Sequence, residues 1–223
     1  LSKQTIDLYE SYKNSKLSHY CNTVLGLVPE VVTGKIYNGW KEIPSVPHEA
    51  RFEGFGIDFG YSVDPTAIVG VYYYNGGYIL DEVAHQKGLS NKEIADIILN
   101  QPRKGLCVAD SAEPKSIDEI RSYGVNIQPA EKGRDSVNYG IQVVQEQQIS
   151  YTRRSINLKK DYDIYHWDID KDGETLNKPN HLGSDSMDAV RYKFCSLIPV
   201  ITKQDFIANM PRFEAKEVPN PAR

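Results

Sequence analysis

Asp58 stands in a sequence context that is unusual for a carboxylate. It lies in the run from Phe55 to Phe59, where one side of a strand would carry large apolar residues and the other would carry Asp58 and glycines. An acid in an apolar strand costs free energy unless it is paired, hydrogen-bonded or bound to a metal. The glycines are expected to leave room for an ion and a substrate backbone, so Asp58 is a candidate metal ligand. A carboxylate that accepts hydrogen bonds from a turn is the alternative.

Three further aspartates are candidates because of their positions. Asp110 follows the short apolar run 106–109, and ligands of α/β sheets sit at the carboxyl ends of strands. Asp185 and Asp188 are three residues apart, which places them on one face of a helix. Helix capping explains Asp110 equally well, and the helix macrodipole stabilises any acid in a first turn. Each of these aspartates alone is therefore ambiguous.

Strand and helix signals place the acids in a mixed α/β domain. Apolar runs at 55–59, 66–74 and 78–84 predict three antiparallel strands, and Asn75-Gly76-Gly77 is a hairpin turn. A capping box from Ser90 to Glu93 opens a helix, and Pro114 opens the next one. Further strands are predicted at 106–109 and 125–128, with a third helix at 137–147. The predicted order is βββαβαβα, followed by a hairpin within 164–178 and a last helix capped by Ser184.

This order brings carboxylates from two strands and one helix together. Like charges at such proximity repel, so bound cations are needed to make the arrangement favourable. A site of aspartate oxygens without cysteine suits Mg²⁺ or Mn²⁺ rather than zinc. Two such ions ~3.5–4 Å apart activate water and stabilise a leaving oxygen, and the natural substrate of that chemistry is a phosphodiester.

Three segments, in this order, resemble the C-terminal nuclease domain of the large terminase subunits of tailed bacteriophages. They read GIDFGYSVDPTAIV (56–69), ADSAEPKSI (109–117) and DAVRY (188–192), and the similarity covers roughly residues 34–197. The resemblance implies an RNase H-like fold of the retroviral integrase superfamily. It also implies an endonuclease that cuts concatemeric viral DNA at the start and end of packaging. Asp58, Asp110 and Asp188 match the family's metal-binding acids, whereas Asp185 sits where many members carry a His or another acid.

The resemblance further implies partners and a setting. The partners are double-stranded DNA bound largely without regard to sequence, an N-terminal packaging ATPase, the small terminase subunit and the portal, in the host cytoplasm and without a membrane. The P-loop of that ATPase reads G-x-x-x-x-G-K-[ST], which Gly34-Lys35 does not fit. Because the chain also begins at Leu1, we expect an excised nuclease domain. Residues 1–50 would be the linker from the ATPase, 51–200 the RNase H-like domain and 201–223 a C-terminal tail.

Basic residues are the candidates for DNA contact. Six of them lie between residues 130 and 160, against three acids, and would hold phosphates without reading sequence. They are Lys132, Arg134, Arg153, Arg154, Lys159 and Lys160. Lys115, in the first turn of the helix after Asp110, is predicted to meet a phosphate as well. A solvated protein face is the alternative interpretation of the six residues between 130 and 160.

Composition limits the function classes. The formal charge of −4 excludes a polycation that coats nucleic acid or membranes. Cys21, Cys107 and Cys195 are far apart and form no paired motif, which favours a reducing compartment and excludes a zinc knuckle. The longest apolar stretch is well short of the ~18 residues of a spanning helix.

Two other functions stay open. A docking module of the packaging motor would keep the fold and lack strong catalysis. An actin-like or sugar-kinase ATPase is suggested by residues 57–62, which also resemble the first phosphate hairpin of that superfamily. That superfamily needs a second, glycine-rich phosphate loop and a duplicated domain, and this sequence has neither a matching loop nor the length.

Overall fold

The computed structural model describes residues 34–131, 136–171 and 174–197, in which strands and helices alternate. The strands are β1 (Lys41–Ile43), β2 (Arg51–Asp58), β3 (Thr66–Tyr74), β4 (Gly77–Gln86), β5 (Cys107–Ala109), β6 (Ile127–Pro129), β7 (Ile149–Thr152), β8 (Trp167–Ile169) and β9 (Thr175–Pro179). The helices are α1 (Asn91–Leu99), α2 (Pro114–Ser122), α3 (Ser136–Gln145), α4 (Ile156–Ile164) and α5 (Ser184–Leu197). The predicted βββαβαβα order is confirmed from β2 to α3.

Seven of these strands form one mixed sheet, as predicted, in the order β1-β7-β4-β3-β2-β5-β6. Within the described strands of this sheet, only β3 runs antiparallel to its neighbours. The carboxyl ends of β2, β4, β5 and β7 therefore lie at the same edge of the sheet. The predicted late hairpin is also present, as the pair β8 and β9.

The turn between β3 and β4 and the capping box of α1 have the geometry that the sequence predicts. Asn75 and Gly76 both have positive φ, 48° and 80°, as the two-residue turn between β3 and β4 requires. The backbone N–H of Glu93 donates to the Ser90 hydroxyl, and the Glu93 carboxylate accepts the Ser90 N–H at 2.8 Å. This capping box begins α1 where the sequence predicts it.

The sheet is covered on both faces, and β2 divides its side chains between them. Phe55 and Ile57 enter an apolar cluster with α1 and α2. The other face is covered by α3, α4 and α5, and its cluster includes Met187 and Val190. The alternation predicted for β2 is therefore present, and the domain has three layers.

The glycines of β2 make room for a helix and not, as predicted, for an ion and a substrate. A Cβ on Gly56 would lie 1.9 Å from the Ala189 carbonyl oxygen, and one on Gly54 would lie 2.9 Å from Lys193 Nζ and 2.2 Å from the Leu106 carbonyl oxygen. The space beside β2 is thus filled by α5 and does not accommodate an ion or a substrate. The sequence interpretation was wrong on this point, because the element that covers a bare strand face cannot be identified from the strand itself.

The sheet also includes residues that the sequence assigns to the N-terminal linker. Ile36 and Tyr37 are buried in the core, the Trp40 ring stacks on Tyr162 with centroids 4.6 Å apart, and β1 pairs with β7. The boundary predicted at residue 51 therefore moves toward the N-terminus to include residues 36–50. The predictions for residues 1–33 and 201–223 lie outside the described residues. None of the helices in the described ranges combines the length and apolarity needed to cross a membrane.

Candidate metal centre

Asp58 and Asp110 end two adjacent parallel strands. Ile57 of β2 is in register with Ala109 of β5, and each is followed directly by one of the two aspartates. Side chains that follow neighbouring parallel strands at the same edge lie close together. The sheet register therefore positions the first two acids.

Helix α5 brings the other two aspartates to the same edge. It crosses β2 with Lys193 against Gly54 and Ala189 against Gly56, so the helix and the strand run in opposite directions. Four helical residues advance about 6 Å and two strand residues about 6.7 Å. One more such step places the start of α5, which carries Asp185 in its first turn and Asp188 just after it, beside Asp58. The close approach that the glycines allow is what makes this meeting possible.

The electrostatics of Asp58 indicate that these acids are neighbours. Burial is the main reason that the pKa of Asp58 is raised to about 8, and the charges of Asp188, Asp185 and Asp110 raise it further, in that order. The largest influences on this pKa include no hydrogen bond from a turn, which argues against the alternative explanation of Asp58.

Asp110 does not cap the helix that follows it. Its Oδ1 accepts a hydrogen bond from the Ala112 N–H at 3.0 Å, within the turn between β5 and α2. Helix α2 begins at Pro114, and its N-cap residue Glu113 makes no side-chain capping bond. The aspartate thus shapes the turn and remains at the strand end next to Asp58.

Asp188 is held by an arginine one helical turn later. Arg191 Nε and Nη2 donate to Asp188 Oδ1 at 3.1 and 2.9 Å, and the Arg191 side chain is buried. Burial is the largest single influence and opposes the charge of Arg191, but Asp188, Tyr192 and Tyr165 together raise the pKa of the guanidinium. Tyr192 also faces this group: burial, and then the charges of Asp58 and Asp188, raise the pKa of its hydroxyl. One oxygen of Asp188 is therefore held in place by the guanidinium.

Asp185 has different neighbours from Asp188, although both lie on one helix. Its carboxylate is grouped with His85 of β4 and Asp161 of α4, and the ligand atoms of the three residues lie within 4.8 Å of one another. Burial raises the pKa of Asp185 to about 6, with further contributions from Asp161 and Asp64 and an opposing one from His85. The first turn of α5 therefore connects two groups of titratable side chains.

Sequence reasoning missed three residues of this region. Asp64 lies six residues after Asp58, inside the motif that carries the family resemblance, so it could have been noticed. His85 and Asp161 gave no signal, because they are 76 residues apart and meet only through the packing of α4 on β4.

The predicted basic patch is largely engaged in ion pairs within the protein. Three of its members pair with carboxylates: Arg153 with Glu42 at 2.9 Å, Arg154 with Asp81, and Lys159 with Asp163. β7, which precedes Arg153, is three strands away from β2, about 14 Å. Lys115 and Lys160 are exposed, and Lys132 and Arg134 lie outside the described residues.

The donor set at Asp58 fits a divalent cation. The donors are carboxylate oxygens, which Mg²⁺ and Mn²⁺ prefer. The raised pKa of Asp58 reflects burial among like charges, and an adjacent cation would favour its ionised form. The arrangement of Asp58, Asp110 and Asp188, with Asp185 in reach, is one that a cation would stabilise.

Comparison with known proteins finds similarity to the large terminase subunits of bacteriophages. The family model for the terminase RNase H-like domain matches residues 58–195. The large terminase subunit of Bacillus phage SPP1 is 34% identical over 155 residues, which are 65% of this chain and 36% of that protein. The chain thus spans about a third of the length of this curated relative.

Two solved structures share the fold. The manganese-bound nuclease domain of the large terminase from bacteriophage SPP1 has a TM-score of 0.63 and 24% identity, covering 73% of this chain and 98% of that one. The large terminase of a thermophilic bacteriophage has a TM-score of 0.58 and 23% identity, covering 88% of this chain and 53% of that one. The family-model match at residues 58–195 extends over the elements that carry the four aspartates.

Proposed function

The chain belongs to the terminase RNase H-like domain family, and from this premise we propose that it is a metal-dependent DNA endonuclease that cuts concatemeric viral DNA during genome packaging. The observation that carries the proposal is the meeting of Asp58, Asp110, Asp185 and Asp188 at one edge of the sheet. The manganese bound to the related SPP1 domain supports the choice of cation.

Each aspartate has a definite part in the proposal. Asp58, Asp110 and Asp188 hold the cations, which are Mg²⁺ or Mn²⁺ and number two. Asp185 is an accessory ligand, or it orients the attacking water. When bound, the two ions activate water for in-line attack on phosphorus and stabilise the leaving oxygen.

The surrounding residues keep the carboxylates ready for this role. Arg191 fixes one oxygen of Asp188 and, being buried, has little freedom to move. Gly56 lets α5 pack closely against β2, which brings the helix acids near Asp58. Preorganisation of this kind spares the site the cost of assembling four like charges when substrate arrives.

For DNA contact, we now rank the basic residues differently from the sequence analysis. Lys115, exposed in the first turn of α2 and five residues after Asp110, remains the best-placed candidate for a phosphate. Lys160 stays a candidate, and so do Lys132 and Arg134. Arg153, Arg154 and Lys159 would have to leave carboxylates, which is inexpensive only for exposed pairs.

The wider role follows from the family. We propose that the chain works with an ATPase motor, a small terminase subunit and a portal, in the cytoplasm of an infected bacterium. The chain spans about a third of its curated relative, so these partners would meet it through segments beyond this one or through the domain itself.

Nicking of supercoiled plasmid tests the proposal. The chain is incubated with plasmid in Mn²⁺, Mg²⁺ or EDTA, at low and moderate salt. We expect cutting that needs the metal and that falls at least about 100-fold in Asp58→Asn, because loss of a direct ligand should exceed the 10–100-fold cost of losing an outer-shell partner.

Asp96→Asn is the matched control, because Asp96 is an exposed aspartate of α1 paired only with Lys92. It should cut like the parent. Equal cutting by Asp58→Asn and the parent would remove Asp58 from the site. No cutting under any metal would favour the docking-module alternative, since that module keeps the fold without the reaction.

A further inference from the structure

His85, Asp161 and Asp185 form a compact cluster beside the four-aspartate centre. They come from β4, α4 and α5. Within the described ranges, the ligand atoms of this imidazole and these two carboxylates lie within 4.8 Å of one another. His85 Nε2 is 3.2 Å from Asp161 Oδ2. The cluster shares Asp185 with the centre, but its other two members belong to elements that contribute nothing to it.

The cluster is enclosed and held in place by its neighbours. The His85 and Asp161 side chains are 15% and 10% exposed. The Ser186 N–H donates to Asp161 Oδ2 at 3.1 Å, which fixes Asp161 against the first turn of α5. The Ser186 hydroxyl is buried and has no hydrogen-bond partner among the described residues, so an uncommitted oxygen lies in the same turn.

We propose that His85, Asp161 and Asp185 bind a divalent transition-metal ion at a site that adjoins the four-aspartate centre and shares Asp185 with it. One imidazole nitrogen and two carboxylates from three different elements are a donor set that Mn²⁺, Co²⁺ and Zn²⁺ accept and that Mg²⁺ does not favour.

The observed distances are close to those of a bound ion. An ion about 2.1 Å from each donor keeps its donors within about 4.2 Å of one another, so small side-chain rotations separate the present arrangement from a coordinated one. Asp161 still has Oδ1 available when Oδ2 accepts the Ser186 N–H. The Ser186 contact would then act as an outer-shell hydrogen bond that orients the ligating carboxylate.

Electron spin-echo spectroscopy of bound Mn²⁺ tests the proposal without any cutting assay. The Asp58→Asn/Asp188→Asn double variant removes two carboxylates of the four-aspartate centre, and Mn²⁺ is added alone. We expect a ¹⁴N modulation from a directly bound imidazole in this variant and in the parent. Labelling with ¹⁵N-histidine should replace the ¹⁴N signal, which identifies histidine without changing any residue.

His85→Gln in the same double variant should lose the imidazole signal and weaken Mn²⁺ binding at least ~10-fold in titration calorimetry. His48→Gln is the control, because the His48 side chain is 91% exposed and lies against Glu49; this variant should keep both properties. A circular dichroism melt checks that each variant is folded.

Three results would overturn the proposal. They are the absence of a nitrogen signal from the parent saturated with Mn²⁺, a signal that survives in folded His85→Gln, and a signal that histidine labelling leaves unchanged. The first would mean that His85 and Asp161 are only a buried ion pair that anchors α5. None of the three bears on whether the four-aspartate centre cuts DNA, so the two proposals can fail separately.

Discussion

Two carboxylates on parallel strands of the same sheet, Asp58 on β2 and Asp81 on β4, have opposite surroundings. Asp81 is 5% exposed, and it accepts hydrogen bonds from Thr152 Oγ1 at 2.6 Å and from Arg154 Nε at 2.7 Å, with a further bond from Arg154 Nη2. Asp58 is half-buried, and the charged groups nearest to it are mostly other carboxylates.

The difference separates a structural acid from a candidate functional one. The donors of Asp81 come from the end of β7 and the turn after it, so this carboxylate ties two parts of the fold together through three hydrogen bonds. The ionised form of Asp58 instead costs stability, because its charge is desolvated among like charges. A carboxylate whose pKa is raised strongly by such surroundings is a functional candidate on physical grounds alone.

The surroundings of Asp58 depend on how closely α5 approaches β2, and Gly56→Ala tests this. The new Cβ would lie 1.9 Å from the Ala189 carbonyl oxygen, which is backbone and cannot rotate away. We expect a loss of at least about 3 kcal/mol in the free energy of unfolding, the upper end for an overpacked core. Urea unfolding at fixed pH measures it.

Gly70→Ala is the matched control for that substitution. Gly70 lies on β3 directly opposite Phe55 of β2, and the nearest atom to its new Cβ is Tyr72 Cε2 at 3.3 Å, on a side chain that can move. Its free energy of unfolding should stay within about 1 kcal/mol of the parent's. Similar losses in both variants would mean that any side chain on these strands is harmful and that α5 is not the cause.

The contrast between Asp58 and Asp81 predicts that replacing each by Asn changes the stability of the protein in opposite directions. Asp81→Asn removes the charge from its bonds with Arg154 and Thr152, and we expect it to destabilise the protein by roughly 1.5–3 kcal/mol. The loss stays moderate because the Arg154 side chain is 63% exposed and is hydrated when released. Asp58→Asn should instead stabilise the metal-free protein at pH 8, since one repelling charge is gone. Urea unfolding of both variants in EDTA measures the two changes in stability. If both substitutions destabilised the protein, the distinction between Asp58 and Asp81 would be contradicted.

Much of this region could be predicted from the sequence, because its signals are local. The strand end at Asp58, the strand end before Asp110 and the helix that carries Asp185 and Asp188 each depend on a short pattern. The parallel register then brings the acids together as a consequence of topology. The hairpin turn at Asn75 and the capping box are equally local, and they are confirmed.

The parts that sequence reasoning missed depend on contacts between distant segments. β1 and β7 are three and four residues long, too short for a periodic pattern. They are strands because β1 pairs with β7 and β7 pairs with β4. Helix α4 has a weak apolar stripe and buries Asp161. The glycines of β2 were noticed but misinterpreted, since their meaning depends on α5, more than 120 residues later.

A pH dependence of stability is a further consequence of the surroundings of Asp58. The pKa of Asp58 is raised from 3.8 to about 8, so between these values the folded protein holds a proton that the unfolded chain has released. Stability of the metal-free protein should therefore fall as pH rises from about 4 to about 8, by at most about 1.4 kcal/mol per pH unit from this group. Asp185, with its pKa raised to about 6, acts in the same direction up to that pH.

Thermal unfolding in EDTA from pH 5 to 8 would reveal this slope, and Asp58→Asn should flatten it while leaving stability at pH 5 nearly unchanged. The reason is that Asp58 is protonated in the folded parent at pH 5, so the amide then replaces a group that is already neutral. Saturating Mn²⁺ should reverse the trend, because a cation binds the ionised carboxylates and stabilises the fold most where they are deprotonated. If the melting temperature of the parent changed with pH no more than that of Asp58→Asn, the raised pKa of Asp58 would be contradicted. The comparison between Asp58 and Asp81 would then no longer hold.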